Sequence, residues 1–137
     1  MPTLLVAKSD SLQAWASDVG LTKHVYKLDL SAEDAGAAVA TLNESRCAGR
    51  TDWKLVGAEP TAATDAAEIL GRVARKETMI DPAHCPQLRQ AQGIFKVKPA
   101  NVENHFLVRA AMENEQLKKV RLTPPQIASY LLRMASA

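Results

Sequence analysis

Apolar and polar positions follow two different periods in residues 1–60. In H-V-Y-K-L-D-L, residues 24–30, the side chains alternate between two faces, which is the period of a half-buried strand. Apolar positions spaced by three and four residues after each of the first two strands predict amphipathic helices. Ser9 and Ser31 stand where the N-terminal caps of those helices are expected. The strands predicted in this part of the chain are 3–7, 24–30 and 52–58.

The second half of the chain contains mainly helix signals. An apolar stripe predicts a helix over residues 62–77, capped by Thr61. Residues 94–98 predict a strand at the edge of a sheet, because lysines alternate along it and Pro99 ends it. The other elements predicted here are a short helix from Pro82, a helix capped by Asn101 that continues or restarts at 117–120, and a last helix capped by Thr123.

The predicted order of elements is β, α, β, α, β, α, a short helix, β, α and α. This order is typical of an α+β fold with a small antiparallel sheet flanked by helices, on which C-terminal helices pack. No repeat or low-complexity tract interrupts it. We therefore expect a single domain over residues 1–137, with an α+β core at 3–98 and a C-terminal helical extension at 99–137.

The composition is that of a folded protein with few aromatic side chains. Of the 137 residues, 47% are hydrophobic, 4% are aromatic and 23% are charged. These fractions exclude a disordered chain, and no run of about eighteen apolar residues predicts a membrane span. Residues 1–10 lack the basic start and the long apolar stretch of a secretory signal. We therefore expect a cytoplasmic protein that does not contact membranes.

The cysteines and histidines do not have the spacing of a metal site. Cys47 and Cys85 are far apart, and no C-x-x-C occurs. The adjacent pair His84-Cys85 and the distant His105 lack the spacing of zinc ligands. We therefore expect no metal ion and no cofactor from the residue pattern alone.

A set of landmark residues in the first two thirds of the chain matches an enzyme family. The landmarks are Tyr26-Lys27-Leu28 on the second predicted strand, Leu42-Asn43 at the end of the next helix, Trp53 on the third strand and Glu68 on a later helix. Over residues 3–98 the chain resembles the small bacterial and phage branch of the GIY-YIG endonuclease superfamily. The resemblance implies a catalytic role for Tyr26 and a divalent metal ion, Mg2+, held by Glu68. A generic pattern of strands and helices accounts for the same landmarks.

The chain departs from that family at the positions that carry the chemistry. Asp29 stands in place of a glycine, Ala38 stands where the catalytic arginine is expected, and residues 3–7 lack the Gly-Ile-Tyr triplet. Without the arginine, charge on a phosphate being cleaved is not neutralised. We therefore expect a non-catalytic binding or regulatory protein that acts through a macromolecular partner. The alternatives are a Mg2+-dependent nuclease that uses Tyr26 and Glu68, and a small bacterial protein that associates with itself.

Charge is distributed unevenly along the chain. Residues 1–70 contain six Lys and Arg against ten Asp and Glu, a net charge of −4, whereas residues 71–137 contain eleven against five, a net charge of +6. Converging cations are what phosphate binding needs, so the basic half is a candidate for non-specific nucleic-acid contact. Solvation and compensation of a helix dipole explain the same residues. The candidate nucleic-acid-binding residues are Arg72, Arg75, Lys76, Lys96 and Lys98.

The last predicted helix has an apolar stripe formed by Ile127, Tyr130, Leu131 and Met134. Such a stripe must be buried to be stable in water. It packs either on the rest of this chain or on a second surface, which would be a protein partner or another copy of the chain. The stripe is therefore also the candidate partner-binding surface.

Overall fold

The computed structural model describes residues 2–20, 24–62, 65–80, 93–112 and 123–136. Within these ranges the chain forms five strands and five α-helices, with a single 3-10 turn at Cys47–Gly49. The strands are β1 (Thr3–Ser9), β2 (Val25–Ser31), β3 (Trp53–Pro60), β4 (Thr78–Met79) and β5 (Ile94–Lys96). The helices are α1 (Asp10–Asp18), α2 (Ala35–Glu44), α3 (Ala66–Ala74), α4 (Pro99–Met112) and α5 (Pro124–Ser136).

The five strands form one antiparallel sheet in the order β3-β1-β2-β5-β4. The prediction of an α+β fold, with a small antiparallel sheet and C-terminal helices packed on it, is confirmed. The prediction that 94–98 forms an edge strand is wrong, because β5 lies between β2 and the two-residue strand β4. The backbone N–H groups of β5 can thus bond to neighbours on both sides. The sequence showed no signal for β4.

Helices cover both faces of the sheet, and β1 is therefore buried on both faces. Leu4 and Val6 point to a cluster that contains side chains of α3, α4 and α5. Leu5 and Ala7 point to a second cluster, formed with α1 and α2. This arrangement follows from the side-chain period of a strand, since successive residues face opposite sides. The result is three layers, with the C-terminal helices on one side of the sheet.

Glycine is required where β5 approaches β2. Gly93 has a φ of +77°, and its carbonyl oxygen accepts a hydrogen bond of 2.8 Å from the backbone N–H of Leu28. A Cβ atom at this position would lie 2.6 Å from the Leu28 carbonyl oxygen. A side chain would therefore push β5 away from the sheet.

The helix caps agree with the sequence at two positions. The Ser9 hydroxyl accepts a hydrogen bond from the backbone N–H of Leu12 at the start of α1. Thr123 precedes α5, whose first residue is Pro124, and its carbonyl oxygen accepts from the backbone N–H of Ile127. Both helices begin where a cap followed by helical periodicity predicts them to begin.

At the other helices the predicted caps are wrong. β2 extends through Ser31, so α2 begins later and Asp34 is its cap. Asp65, and not Thr61, caps α3 and accepts from the backbone N–H groups of Ala67 and Glu68. Asn101 lies inside the first turn of α4. Before α2 and α3 more than one Asx, Ser or Thr residue is present, and propensity does not choose among them. α4 instead begins at Pro99, two residues before Asn101.

The cap of α3 makes a testable contribution to stability. Asp65→Ala is expected to lower the free energy of unfolding by about 0.5 to 2 kcal/mol, because two backbone N–H groups lose their acceptor. Asp65→Ser retains a side-chain acceptor, so it should lower the free energy of unfolding much less. Urea denaturation of both variants checks this, and equal losses would show that the cap hydrogen bonds are not the cause.

Some predictions fall outside the described residues. They are the short helix from Pro82, the continuation at 117–120, and the pair His84-Cys85. In the part of the chain that the structure describes, no helix has the length and apolar character needed to cross a membrane.

Candidate functional site

A buried carboxyl group joins three elements on the side of the sheet that carries the C-terminal helices. Glu77 follows α3 and is 1% exposed. Its Oε1 accepts hydrogen bonds from the Tyr130 hydroxyl at 2.8 Å and from Asn101 Nδ2 at 2.9 Å. Its Oε2 accepts from the backbone N–H of Lys98 at 2.8 Å. Glu77 therefore connects the end of α3 to the start of α4 and to the middle of α5. We call these four residues the Glu77 network.

The polar groups of the Glu77 network are engaged with one another. Burial raises the pKa of the Tyr130 phenol above its ordinary value, and the hydrogen bond to Glu77 raises it further. The hydroxyl therefore remains protonated and donates to Glu77 at physiological pH. Asn101 donates from the same Nδ2 to the carbonyl oxygen of Lys76. These hydrogen bonds fix the side chains of Asn101 and Tyr130, which line the cavity described next.

Two adjoining cavities lie along the solvent side of α4. The first has a volume of about 470 Å³ and is lined by Lys76, Asn101, Asn104, His105, Val108 and Tyr130. The second has a volume of about 430 Å³ and is lined by His105, Val108, Arg109, Met112 and Arg133. The two share His105 and Val108, so they meet along the helix. We call them together the α4 cleft. No Asp or Glu is among these lining residues.

His105 stands at the centre of the α4 cleft. Its ring lies edge-on to the rings of Phe106 and Tyr130, with centroids 5.2 Å and 5.3 Å away. Its Nε2 atom is buried and has no hydrogen-bond partner among the described residues. Burial lowers the pKa of the imidazole, and the nearby cations Arg133, Arg109 and Lys76 lower it further. The ring is therefore neutral near pH 7 and offers one N–H donor and one acceptor.

Two exposed cations line the α4 cleft, and a third lies near its N-terminal end. Lys76 lines the first cavity, Arg133 lines the second, and Lys98 lies at the N-terminal end of α4 beside Glu77. Within the described ranges, none of the three forms an ion pair with an acidic side chain. The three side chains are exposed to solvent.

The structure brings only part of the predicted basic set to the α4 cleft. Arg75 is exposed beside Lys76 at the end of α3. Arg72 instead binds Glu68 Oε1 at 2.7 Å and donates to the carbonyl oxygen of Ala135. Lys96 is half-buried in β5, opposite Thr78 of β4. Of the five predicted cations, only Lys76 lines the cleft, with Lys98 beside it.

The two residues assigned to catalysis by the resemblance lie in different environments. Tyr26 is 3% exposed and belongs to the core beneath the C-terminal helices. The side chain of Glu68 is 58% exposed and pairs with Arg72. A buried ring and a solvent-facing carboxylate do not face a common cleft. Ala38, at the position compared with a catalytic arginine, packs in the core formed with α1 and α2.

A metal site is not evident in the ranges that the structure covers. No group of three or more His, Cys, Asp or Glu side chains is placed there to hold a metal ion. Cys47 is half-buried, and burial raises the pKa of its thiol. The thiol is therefore protonated near pH 7 and is a weak ligand and nucleophile.

The apolar stripe of α5 packs within the chain. Ile127, Tyr130 and Leu131 are buried in the cluster beneath α3 and α4, and Met134 packs against it partly buried. The sequence left two surfaces open for this stripe, the rest of its own chain or a separate partner. In the structure the stripe packs on its own chain. The side chains proposed as a partner surface are thus already covered.

Sequence reasoning missed Glu77, Asn104 and Arg133 as members of a site. Glu77 and Tyr130 are 53 positions apart, and such a pair has no local signal. The α4 cleft did have a local signal, because Asn101, His105 and Val108 recur at helical spacing and so lie on one face of α4. In the sequence, His105 was considered only as a zinc ligand, and its spacing does not favour that role.

Comparisons with protein-family models, with curated proteins and with solved structures find no match for this chain. The similarity to the GIY-YIG superfamily consequently depends on the landmark residues alone. The α4 cleft is the feature of the structure from which a function can be argued.

Proposed function

We propose that the protein is a non-catalytic binding protein whose macromolecular partner is a nucleic acid, bound through its phosphates at the α4 cleft. The observation that carries the proposal is the group of exposed cations, Lys76 and Arg133 in the α4 cleft and Lys98 near it, with no Asp or Glu among the described residues that line this concave surface. Phosphate contacts by Lys and Arg supply most of the affinity of non-specific nucleic-acid binding. A concave surface lined by cations focuses their positive potential, which raises the local concentration of a negatively charged strand.

The state of the polar groups supports binding and not catalysis. Glu77, Tyr130 and Asn101 are satisfied by one another and are buried or half-buried. A general acid or base must reach the reacting atoms, and none of these three is free to do so without breaking the Glu77 network. The cleft is also lined by cations and by the Asn104 amide, which are outside the network and are suited to bind phosphate oxygens.

A binding assay with matched charge variants tests the proposal. We expect fluorescence anisotropy of a labelled duplex of arbitrary sequence to show binding by the unmodified protein that weakens steeply with salt. The triple variant Lys76→Glu, Lys98→Glu, Arg133→Glu should lose at least about a hundredfold in affinity near 0.1 M salt. Its slope of log affinity against log salt should fall by about 2.7, since about 0.9 is lost for each phosphate contact.

The control variant carries the same change in net charge elsewhere. Arg46→Glu, Arg50→Glu, Lys54→Glu alters cations near β3, none of which lines the α4 cleft. It should retain affinity within a few fold. Equal weakening in both triple variants would show a general charge effect, and absence of binding by the unmodified protein would refute the proposal. Plasmid nicking that needs Mg2+ and disappears in Glu68→Ala would favour the nuclease instead.

A further inference from the structure

Building on the proposed function, we propose that α4 enters the major groove of a DNA duplex, where Asn104, Leu107 and Val108 contact the edges of bases. The cations beside the helix contact phosphates at the border of the groove. This role of α4 rests on the proposed function and adds to it the class of nucleic acid, which is B-form DNA, and a preference for A·T base pairs.

The solvent-exposed half of α4 is mainly apolar. Val102 and Phe106 attach the helix to the core, and the opposite half of the helix is open. There, Leu107, Val108 and Met112 are 48%, 54% and 81% exposed. Large apolar side chains grouped in this way on a protein surface indicate a binding site. The exposed residues of α4 are Ala100, Glu103, Asn104, Leu107, Val108, Ala111 and Met112.

The charges beside this half of α4 indicate its occupant. Lys76 lines the first cavity of the α4 cleft and Arg133 lines the second, so both cations lie along one flank of the helix. Lys98 is exposed immediately before the first residue of α4. Glu103 is the only acidic residue of α4, and it lines neither cavity. The occupant must therefore combine apolar groups with closely spaced negative charges.

The major groove of B-form DNA presents this combination of groups. The groove is about 12 Å wide, which admits an α-helix, and its edges carry the phosphates of the two strands. Thymine methyl groups in the groove are apolar partners for Leu107 and Val108, and the adenine edge pairs with an Asn amide, here Asn104. These three side chains recur at spacings of three and four residues and so share one face of α4. The major groove of A-form RNA is too narrow for side chains to read, so the expected ligand is DNA.

The length of α4 also fits this role. Its fourteen residues span about 21 Å. The helix can therefore place Asn104 and Val108 in the groove while Lys98, before its first turn, and Arg133, near its last turn, remain beside a strand.

Binding to duplexes of different base composition tests the proposal. By fluorescence anisotropy at one salt concentration, the full chain should bind an A·T duplex about tenfold more tightly than a G·C duplex of equal length. Uracil in place of thymine removes only the methyl groups from the major groove. It should weaken binding about fourfold for each methyl group contacted, which is the effect of burying one such group.

Matched variants assign these effects to α4. Asn104→Ala should lose most of the preference for A·T over G·C but keep the salt dependence, because the phosphate contacts remain. Val108→Ser should reduce the difference between thymine and uracil duplexes. Val19→Ser is the control, because Val19 follows α1 and is 53% exposed, like Val108. A Val108→Ser protein that retains the full difference would contradict the contact.

The remaining outcomes separate this proposal from the proposed function. Equal affinity for A·T and G·C duplexes would overturn the role of α4, because phosphate contacts carry no sequence information. An A·T preference that is unchanged by uracil would also overturn it, since it would indicate the minor groove. Failure of every duplex to bind would contradict the proposed function itself.

Light scattering tests the competing occupant of the same surface, a second copy of the chain. The unmodified protein should have the mass of one chain. A larger mass that returns to one chain in the double variant Leu107→Ser, Met112→Ser would identify the exposed half of α4 as a protein interface, and the role in groove binding would be wrong.

Discussion

Replacing Glu77 by alanine is expected to lower the free energy of unfolding by about 3 to 5 kcal/mol. The change leaves the Tyr130 hydroxyl, the Asn101 amide and the Lys98 backbone N–H without their acceptor, and the Tyr130 side chain is only 1% exposed. Each buried donor that loses its partner costs about 1 to 3 kcal/mol. The carboxyl group also joins α3, α4 and α5, so its loss loosens the packing of all three. Urea denaturation followed by circular dichroism measures the effect.

Glu68→Ala is the matched control for this variant. Glu68 lies in the first turn of α3, but its side chain is 58% exposed and pairs only with Arg72 in the described part of the chain. An exposed ion pair contributes about 0 to 1 kcal/mol, so the control should be nearly as stable as the unmodified protein. Similar stability of Glu77→Ala and Glu68→Ala would show that the buried network does not hold the C-terminal helices.

Removal of residues 123–137 is expected to abolish cooperative unfolding of the chain. α5 covers β1 and β3 and packs against α3, and it contributes Ile127, Tyr130 and Leu131 to the core. Each of these large side chains stabilises the fold by about 1.5 to 3 kcal/mol through burial. The sum approaches the whole stability of a small domain, which is about 5 to 15 kcal/mol. Calorimetry of the shortened chain should therefore show no sharp transition.

A single substitution tests the same claim without removing a helix. Leu131 is 0% exposed. Leu131→Ala should lower the free energy of unfolding by about 2 to 5 kcal/mol, because a cavity remains in the core. Leu107, on α4, is 48% exposed, and Leu107→Ala should have little effect.

A stable, cooperatively folded chain without residues 123–137 would mean that α5 is not part of the core.

The elements that could be predicted are those with a local periodic signal. β2 and α5 are examples, because alternation in one and a stripe after Thr123 in the other are visible within a few residues. The position of β5 could not be predicted in the same way. Whether a strand is central or at an edge depends on pairing with distant segments, and β4 has only two residues. Alternating lysines favoured an edge because edge strands often carry them.

The candidate site was only partly predictable for a related reason. Lys76 was singled out by the basic composition of its region, and the structure places it in the α4 cleft. Arg72 was singled out by the same argument, although Glu68 lies four residues earlier and pairs with it. Arg133 and Glu77 join the site through tertiary contacts between α3, α4 and α5. A count of charges along the chain does not contain that information.

The most direct test of the central claim is a map of the surface that contacts nucleic acid. Backbone amide signals of the full chain, measured by NMR at low salt, should shift on titration with a short duplex. The largest chemical-shift changes should lie at residues 76–77, 98–109 and 133, and the changes along β3 and α1 should be small. Changes concentrated on β3 and α1, or no changes at any concentration, would contradict the assignment of the α4 cleft as the binding surface.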